Sequence, residues 1–278
     1  MSGTLAKFII CITLFLTLMA CTPSAALTPE AVASTPEDRA LVIGDISDEA
    51  AETIMGTQPI ADYLATAVSA YGITHGEVKI APDLETMIEW IGSGEVDLYF
   101  DSPYPALVIS QETGATSILR RLKYGVAQYH SVFFSRVGAD FTSVADLTGQ
   151  MVAFEEPFST SGFMLPLAYL VEQGLTPVEK PGLDTAVSPD ELGYVFSTAD
   201  NTTLQWVISG KVPAGVTDDV TFSRLPADTQ AELTIFAATE DVPRQLVLVR
   251  PGLDEAMVAT LKAELLAMGE NETGQAAL

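Results

Sequence analysis

An eleven-residue segment occurs twice in this chain, and the repetition restricts its architecture more than any other feature. Thr86-Met-Ile-Glu-Trp-Ile-Gly-Ser-Gly-Glu-Val96 aligns with Thr202-Thr-Leu-Gln-Trp-Val-Ile-Ser-Gly-Lys-Val212 at a constant offset of 116. Thr, Trp, Ser, Gly and Val are identical, and Ile/Leu, Glu/Gln and Ile/Val match in kind. Each copy reads as a helix, a glycine stop and the start of a strand. A looser echo joins Leu119–Arg136 to Thr234–Arg250, both reading as strand, polar link, strand, arginine. Two repeats in the same order imply two like lobes, each built on an α/β sheet and joined by two crossing segments.

The rest of the chain fits that plan from Ala40 onward. Ala40-Leu-Val-Ile-Gly-Asp45 is near-continuously apolar, as a strand buried on both faces should be. Pro59–Tyr71 carries apolar residues at helical spacing, with Gly72 as its stop. The strand Glu77–Ile80, the helix Leu84–Ile91 and the strand Val96–Phe100 follow. Strands alternating with helices predict right-handed crossovers and mainly parallel sheets with helices on both faces. Lobe I is expected over 39–125 plus 243–278 and lobe II over 128–240, with crossings near Tyr124–His130 and Thr239–Pro243. Ligands of such folds sit beyond the carboxyl ends of the strands, here between the lobes.

The N-terminus predicts the compartment. Lys7 precedes thirteen largely apolar residues, Phe8 to Ala20. A membrane-spanning helix needs ~20, so this run fits a signal-peptide core. It ends Leu18-Met19-Ala20-Cys21, the pattern of a bacterial lipobox, predicting removal of residues 1–20 and lipid on Cys21. Residues 21–38 carry three prolines among small residues and read as a semi-extended tether, or as one containing a short Pro29–Ala33 helix. Cys11 would leave with the signal, so no disulfide or thiolate metal site is expected. Thirteen basic against thirty-seven acidic residues give a net charge of −24, which opposes nucleic-acid binding. It leaves a small anion open as ligand, because local dipoles in a pocket outweigh a screened distant field.

Four strand-end loops would face the cleft. In Val152-Ala-Phe-Glu-Glu-Pro-Phe-Ser-Thr-Ser-Gly-Phe-Met-Leu-Pro166 a strand ends near Phe154 and a helix begins within Ser159-Thr160-Ser161-Gly162. Three hydroxyls beside the free amides of a helix start would cradle a tetrahedral oxyanion, and the same run would equally serve as a plain cap. After the third strand, Asp101-Ser-Pro-Tyr-Pro105 is a stiff turn that would present Ser102 and Tyr104 as donors, or leave Tyr104 packing. Asp218, in Ala214-Gly-Val-Thr-Asp-Asp219, would either accept from a protonated ligand oxygen or cap the next helix. Ser47 and Tyr129 complete the ligand-binding set of Ser47, Ser102, Tyr104, Tyr129, Ser159, Thr160, Ser161 and Asp218. The proposed contact stretches hold no Arg or Lys, so recognition is expected to rest on hydroxyls and amides. Catalysis is not indicated: there are two distant histidines and no nucleophile elbow, P-loop or metal spacing. No cofactor is expected.

Ser-Gly-Glu-Val-Asp (93–97), Asp-Ser-Pro-Tyr (101–104), Tyr-His-Ser-Val (129–132), Asp-Leu-Thr-Gly (146–149), Ser-Thr-Ser-Gly (159–162) and Ser-Gly-Lys-Val-Pro-Ala-Gly-Val-Thr-Asp (209–218) together resemble one family. It is the phosphate, phosphite and phosphonate-binding proteins of ABC importers, and the resemblance runs from about Leu41 to Met268. It implies a type II periplasmic binding protein fold whose two lobes close on the ligand. Ser159, Thr160 and Ser161 would hold the oxyanion, with Tyr104 and Asp218 at further contact positions. Where family members often carry Gly-His-Asp, this chain reads Ser197-Thr-Ala-Asp-Asn201. The implied role is capture of a small phosphorus oxyanion for an ABC permease by a monomer held on the outer side of a membrane by its lipid. A membrane-anchored sensor of the same fold, feeding a signalling partner, is the alternative. If Cys21 carries the lipid, Cys21→Ser will shift the protein to the soluble fraction or leave an uncleaved precursor, as fractionation and immunoblotting would show. A correctly cleaved mutant still held on the membrane would refute the assignment.

Overall fold

Apolar side chains alternate across the strands of both sheets, and this alternation is what places helices on two faces. In the computed structural model, residues 39–47 and 50–278 are described. The predicted signal peptide, Cys21, the tether to residue 38 and the short Pro29–Ala33 helix lie outside them. The first lobe runs β1 (Arg39–Ile46), α1 (Ala50–Ala67), β2 (Ile73–Ala81), α2 (Leu84–Ser93), β3 (Leu98–Asp101), α3 (Pro103–Thr113) and β4 (Thr116–Arg121). The chain crosses through β5 (Gln128–Tyr129) into β6 (Ser131–Arg136), β7 (Met151–Phe154), α4 (Leu165–Glu172), β8 (Pro177–Glu179) and β9 (Leu192–Phe196). There follow α5 (Asp200–Ile208), β10 (Ala214–Asp218), α6 (Asp219–Ser223), α7 (Ala227–Ala231) and β11 (Leu233–Ala238). It returns through β12 (Val242–Pro243) to β13 (Gln245–Val249), α8 (Glu255–Ala267) and α9 (Glu272–Ala277).

The sheets have the orders β2-β1-β3-β13-β4 and β11-β6-β10-β7-β9-β8. Leu41, Ile43, Leu98, Phe100, Val247 and Val249 pack with α1 and α8 on one face of the first sheet. Tyr99 and Leu248, one residue out of step, pack with Met87, Ile91 and Ile109 of α2 and α3 on the other. The second sheet divides likewise, Val152 and Phe154 with Leu170 of α4, and Ala153 and Val195 with Leu204 and Val207 of α5.

The expected parallel pairing holds where strands are linked by helices: β1 with β2 and β3, and β7 with β9 and β10. The strands that enter a lobe from the other one run against it. β13 is antiparallel to β3 and β4, and β6 is antiparallel to β10 and β11. A chain that crosses beside the strands' carboxyl ends has to run away from that edge. Each sheet is therefore mainly parallel, with one strand, β13 or β6, running against the rest. A departure from expectation is α1, which begins by Ala50 rather than at Pro59. Pro59 lies on the exposed face, where water can satisfy the carbonyl it leaves unbonded, while Thr57, Ile60, Ala61, Leu64 and Ala65 hold the buried face.

The sequence repeat corresponds to one local structure built twice. The Trp90 carbonyl accepts from the Glu95 and Val96 amides at 2.8 and 3.2 Å, and the Trp206 carbonyl accepts from Lys211 and Val212 at 2.8 and 3.3 Å. Gly94 and Gly210 stop the helices at φ of 85° and 72°, where a side chain would be strained. Even the arginines of the looser echo match. The Arg250 guanidinium lies 3.8 Å from where a β-carbon on Gly94 would stand, and Arg136 lies 3.5 Å from that of Gly210.

The two copies differ in how the turn is anchored. Asp97, 3% exposed, accepts from Arg250 Nε at 2.8 Å, Arg39 Nη2 at 3.0 Å and the Val42 amide at 3.1 Å. One carboxylate thus ties β1 to the end of β13. In the second lobe Pro213 occupies the corresponding position. Removing this carboxylate leaves Arg250, 16% exposed, and Arg39, 44% exposed, to water and strands the Val42 amide, so Asp97→Ala should cost about 1–3 kcal/mol of unfolding free energy. Urea melts would measure it; a loss under ~1 kcal/mol would show that this carboxylate is not a structural tie.

Candidate functional site

Three chain regions meet at the carboxyl ends of the central strands and enclose a polar cavity of about 240 Å³. Asp101 and Ser102 come from the end of β3. Glu155, Ser159, Thr160, Ser161, Asp200 and Asp218 come from the second lobe. Lys123, Tyr129, Arg244 and Gln245 come from the crossings and the start of β13. The crossings themselves pair as a two-stranded antiparallel ribbon, Val242 opposite Tyr129 and Pro243 opposite Gln128.

The Ser159–Gly162 run forms the expected helix start, as a wide turn. The Met164 amide bonds the Ser159 carbonyl at 3.0 Å, five residues back, and the Leu165 amide bonds that of Thr160 before α4 begins. Such π turns are wider than an α-helical one. Gly162 is required because a β-carbon there would stand 2.5 Å from Glu155 atoms and 2.8 Å from Ser159 Oγ. The hydroxyls are less free than a cradle of three would need. Ser159 Oγ accepts from the Gly162 amide at 2.9 Å and donates to Glu155 Oε2 at 2.7 Å. Thr160 Oγ1 reaches across to the first lobe, donating to Ser102 Oγ at 3.0 Å and accepting from the Tyr104 amide at 2.8 Å. Thr160 is therefore a clamp between the lobes. The Ser161 carbonyl accepts from Ser131 Oγ at 2.7 Å. The Ser161 hydroxyl bonds that of Tyr129, and the two side chains line the cavity together beside the amides that open the turn.

The other predicted residues divide. Tyr129 and Ser102 line the cavity. Tyr104 meets Thr160 through its backbone amide, and its ring does not line the cavity. Ser47 does not line it either; its Oγ accepts from Thr53 Oγ1 at 2.8 Å at the start of α1. Asp218 faces the cavity, but its carboxylate caps α6. Oδ1 accepts from the Val220 and Thr221 amides, both at 3.0 Å, and Oδ2 from Thr221 Oγ1 at 2.8 Å. Of the two roles open to Asp218, the cap is the one its geometry shows.

Several wall residues were not singled out from sequence. Asp101 and Glu155 end or directly follow β3 and β7, so the strand-end rule that selected Asp218 would have reached them. Lys123, Arg244 and Gln245 lie on the crossings or next to them, so two cations and an amide face the cavity from outside the expected contact stretches. Asp200 belongs to the Ser197–Asn201 stretch that departs from the usual Gly-His-Asp. His130 bonds Asp241 Oδ1 at 2.8 Å and is not part of the cavity wall.

Four carboxylates and two cations line this cavity. Burial pushes the Asp200 carboxyl up to about 7, reinforced by Glu155 and Asp218. The Thr217 hydroxyl, donating at 2.6 Å, and Arg244 oppose the rise. Burial also raises Glu155, helped by Glu156 and Asp218, against Ser159 and Lys123. Asp101 is raised by burial, and behind it Asp45 reaches about 6 through burial and the nearby Asp101. Among the pocket carboxyls, Asp200 thus holds its proton up to about neutral pH.

The whole cavity-bearing region, residues 43–278, matches the profile of ABC transporter, phosphonate, periplasmic substrate-binding proteins. The chain belongs to that family. It is 28% identical over 153 residues to the phosphate-import protein PhnD of Mycolicibacterium smegmatis, an alignment covering 53% of this chain and 46% of that one. The matched part therefore spans about half the length of this curated relative. The fold also matches XAC2383 of Xanthomonas citri, solved bound to ATP, with a TM-score of 0.81, 26% identity and 86% of each chain covered. PhnD1 of Prochlorococcus marinus, solved with methylphosphonate, superposes with a TM-score of 0.64 at 16% identity over 88% of this chain and 89% of that one. The two-lobed fold is the one its family shares, and membership of a periplasmic substrate-binding family places the chain outside the cytoplasm. Among the described residues, no helix is long and apolar enough to cross a membrane.

Between about pH 4 and 7 folded Asp200 holds a proton that the unfolded carboxyl has released, so stability falls as pH rises through that window. Glu155, Asp101 and Asp45 act in the same direction. Asp200→Asn should flatten the decline and make the ligand-free protein more stable than wild type at pH 8, as thermal melts across pH would show. An unchanged slope would place the Asp200 carboxyl at its ordinary value.

Proposed function

We propose that this chain captures a small phosphorus oxyanion that still carries a proton, whether phosphate, phosphite or a phosphonate. It passes the ligand to an ABC permease while held on the membrane as a lipidated monomer. The observation that carries this reading is the cavity itself. Its 240 Å³ falls below the ~300–1,000 Å³ of pockets for drug-sized ligands, which suits a single anionic group and argues against a nucleotide such as the one bound by XAC2383. The Ser161 hydroxyl, the amides of the turn, Lys123 and Arg244 supply donors. The wall's carboxylates, where ionised, supply acceptors, which a fully deprotonated anion cannot use.

Sulfate lacks such a proton at neutral pH. Facing it with unpaired acceptors costs on the order of 1–3 kcal/mol, so phosphorus oxyanions should bind about tenfold or more tightly. The names of the mycobacterial and Prochlorococcus proteins, a phosphate importer and a methylphosphonate complex, support this ligand class. Domain closure would signal occupancy through the paired crossings.

A thermal-shift screen with phosphate, phosphite, methylphosphonate, aminoethylphosphonate and sulfate tests the proposal. At a hundredfold excess over Kd, a ligand specific to the folded state adds ~2.7 kcal/mol and raises the melting temperature. At least one phosphorus oxyanion should raise it while sulfate does not. No shift with any phosphorus oxyanion, or an equal shift with sulfate, would overturn the assignment.

A further inference from the structure

Arg244 and Gln245 follow Pro243 directly, at the point where the second crossing becomes β13. Both are buried, at 9% and 6% exposure, and both face the cavity. Among the described residues, Arg244 Nε and Gln245 Oε1 are shut off from solvent without a hydrogen-bond partner. Every other polar side chain discussed in the cavity wall is engaged within the protein or in contact with solvent, so this pair stands apart. An unmatched buried donor or acceptor is costly, and it persists where a ligand supplies the missing partner.

The two atoms have opposite senses. Nε can only donate, and Oε1 can only accept. The Arg244 guanidinium stacks 4.2 Å from the centre of the Tyr129 ring, and its backbone amide donates to the Ala127 carbonyl at 2.9 Å. The Gln245 backbone is held in the sheet opposite Arg121. Consecutive residues thus bring a donor and a neutral acceptor to a wall whose other acceptors are mostly carboxylates.

We propose that Arg244 and Gln245 are the specificity-determining contacts for the ligand. Arg244 donates to a charged oxygen of the oxyanion, and Gln245 Oε1 accepts the proton of a P–OH on the same phosphorus. This inference rests on the phosphorus-oxyanion reading above and specifies which protonation state of the ligand is bound. A neutral amide accepts that proton without adding charge, whereas a carboxylate in its place would repel the other oxygens. Because both residues adjoin the crossing ribbon, a ligand held by them bears directly on the hinge.

Methylphosphonate monoanion and methanesulfonate separate the two roles, since they share shape and charge and differ in the one proton. Calorimetric titration of the full mature protein, at a pH where methylphosphonate is the monoanion, should show wild type preferring methylphosphonate by about tenfold or more. Gln245→Met should reduce that preference at least about fivefold and leave methanesulfonate affinity within about twofold. Arg244→Lys should weaken both anions by about tenfold, because a lysine cannot reproduce the planar donor fork. Arg244→Gln serves as a second variant, with circular dichroism and melting curves showing that each is folded. If folded Arg244 variants bind methylphosphonate as wild type does, the arginine contact is refuted. If wild type does not discriminate, or Gln245→Met keeps the full preference, the glutamine contact is refuted. If wild type binds neither these anions nor phosphate, the phosphorus-oxyanion reading itself fails, which is a different result.

Discussion

The short ribbon formed where β5 pairs with β12 is the constraint from which most of this architecture follows. Because the chain passes between lobes twice, and both passages pair there, each sheet must accept strands entering from the edge where its parallel strands end. That direction makes β6 and β13 antiparallel to their neighbours and places the residues just outside the ribbon beside the carboxyl ends of β3, β7 and β10. Lys123, Tyr129, Arg244 and Gln245 become cavity residues for that reason. The lobes also meet directly, since one hydroxyl, Thr160 Oγ1, bridges Ser102 and the Tyr104 amide. A ligand entering this cleft works on an interface that already has its own polar clamp.

Electrostatics turn an apparent contradiction into a selection rule. A chain with a net charge of −24 is proposed to bind an anion, and four carboxylates line the cavity. Burial raises the carboxyls of Asp200, Glu155 and Asp101, with Asp200 reaching about 7. Screening removes most of the distant surface charge, so what the ligand meets is the local set of donors and acceptors. Hydroxyl, amide, guanidinium and ammonium donors suit the charged oxygens, and the surplus acceptors suit a proton. The proposed discrimination rests on hydrogen-bond sense, because sulfate and a protonated phosphonate differ little in size.

Much of the fold was legible because its signals are local. The Trp-x-x-Ser-Gly repeat marks a helix stop whose hydrogen bonds close within six residues, and the structure builds it identically at Trp90 and Trp206. The arginine ending the looser echo was readable as a pattern, although its seat over the partner glycine was not. The site was only half legible. Ser159–Gly162 was recognisable as a helix start, but two of its hydroxyls are occupied by partners, Glu155 and Ser102, that spacing cannot reveal. Asp218 was equally balanced between cap and ligand contact until the amides of Val220 and Thr221 were placed against it.

What the sequence determined by itself, then, is the two-lobed α/β plan, the family, and the segments that end at the strand edges. These follow from periodicities of two and 3.6 residues, glycine stops and a repeat, all of which are written along the chain. Only the tertiary structure decided which polar atoms are spent and which remain. Residue 160 meets residue 102, and residue 244 stacks on residue 129, across separations that carry no periodic signal. A hydrogen bond depends on angles and distances of a few tenths of an ångström, set only when both sheets and both crossings are in place.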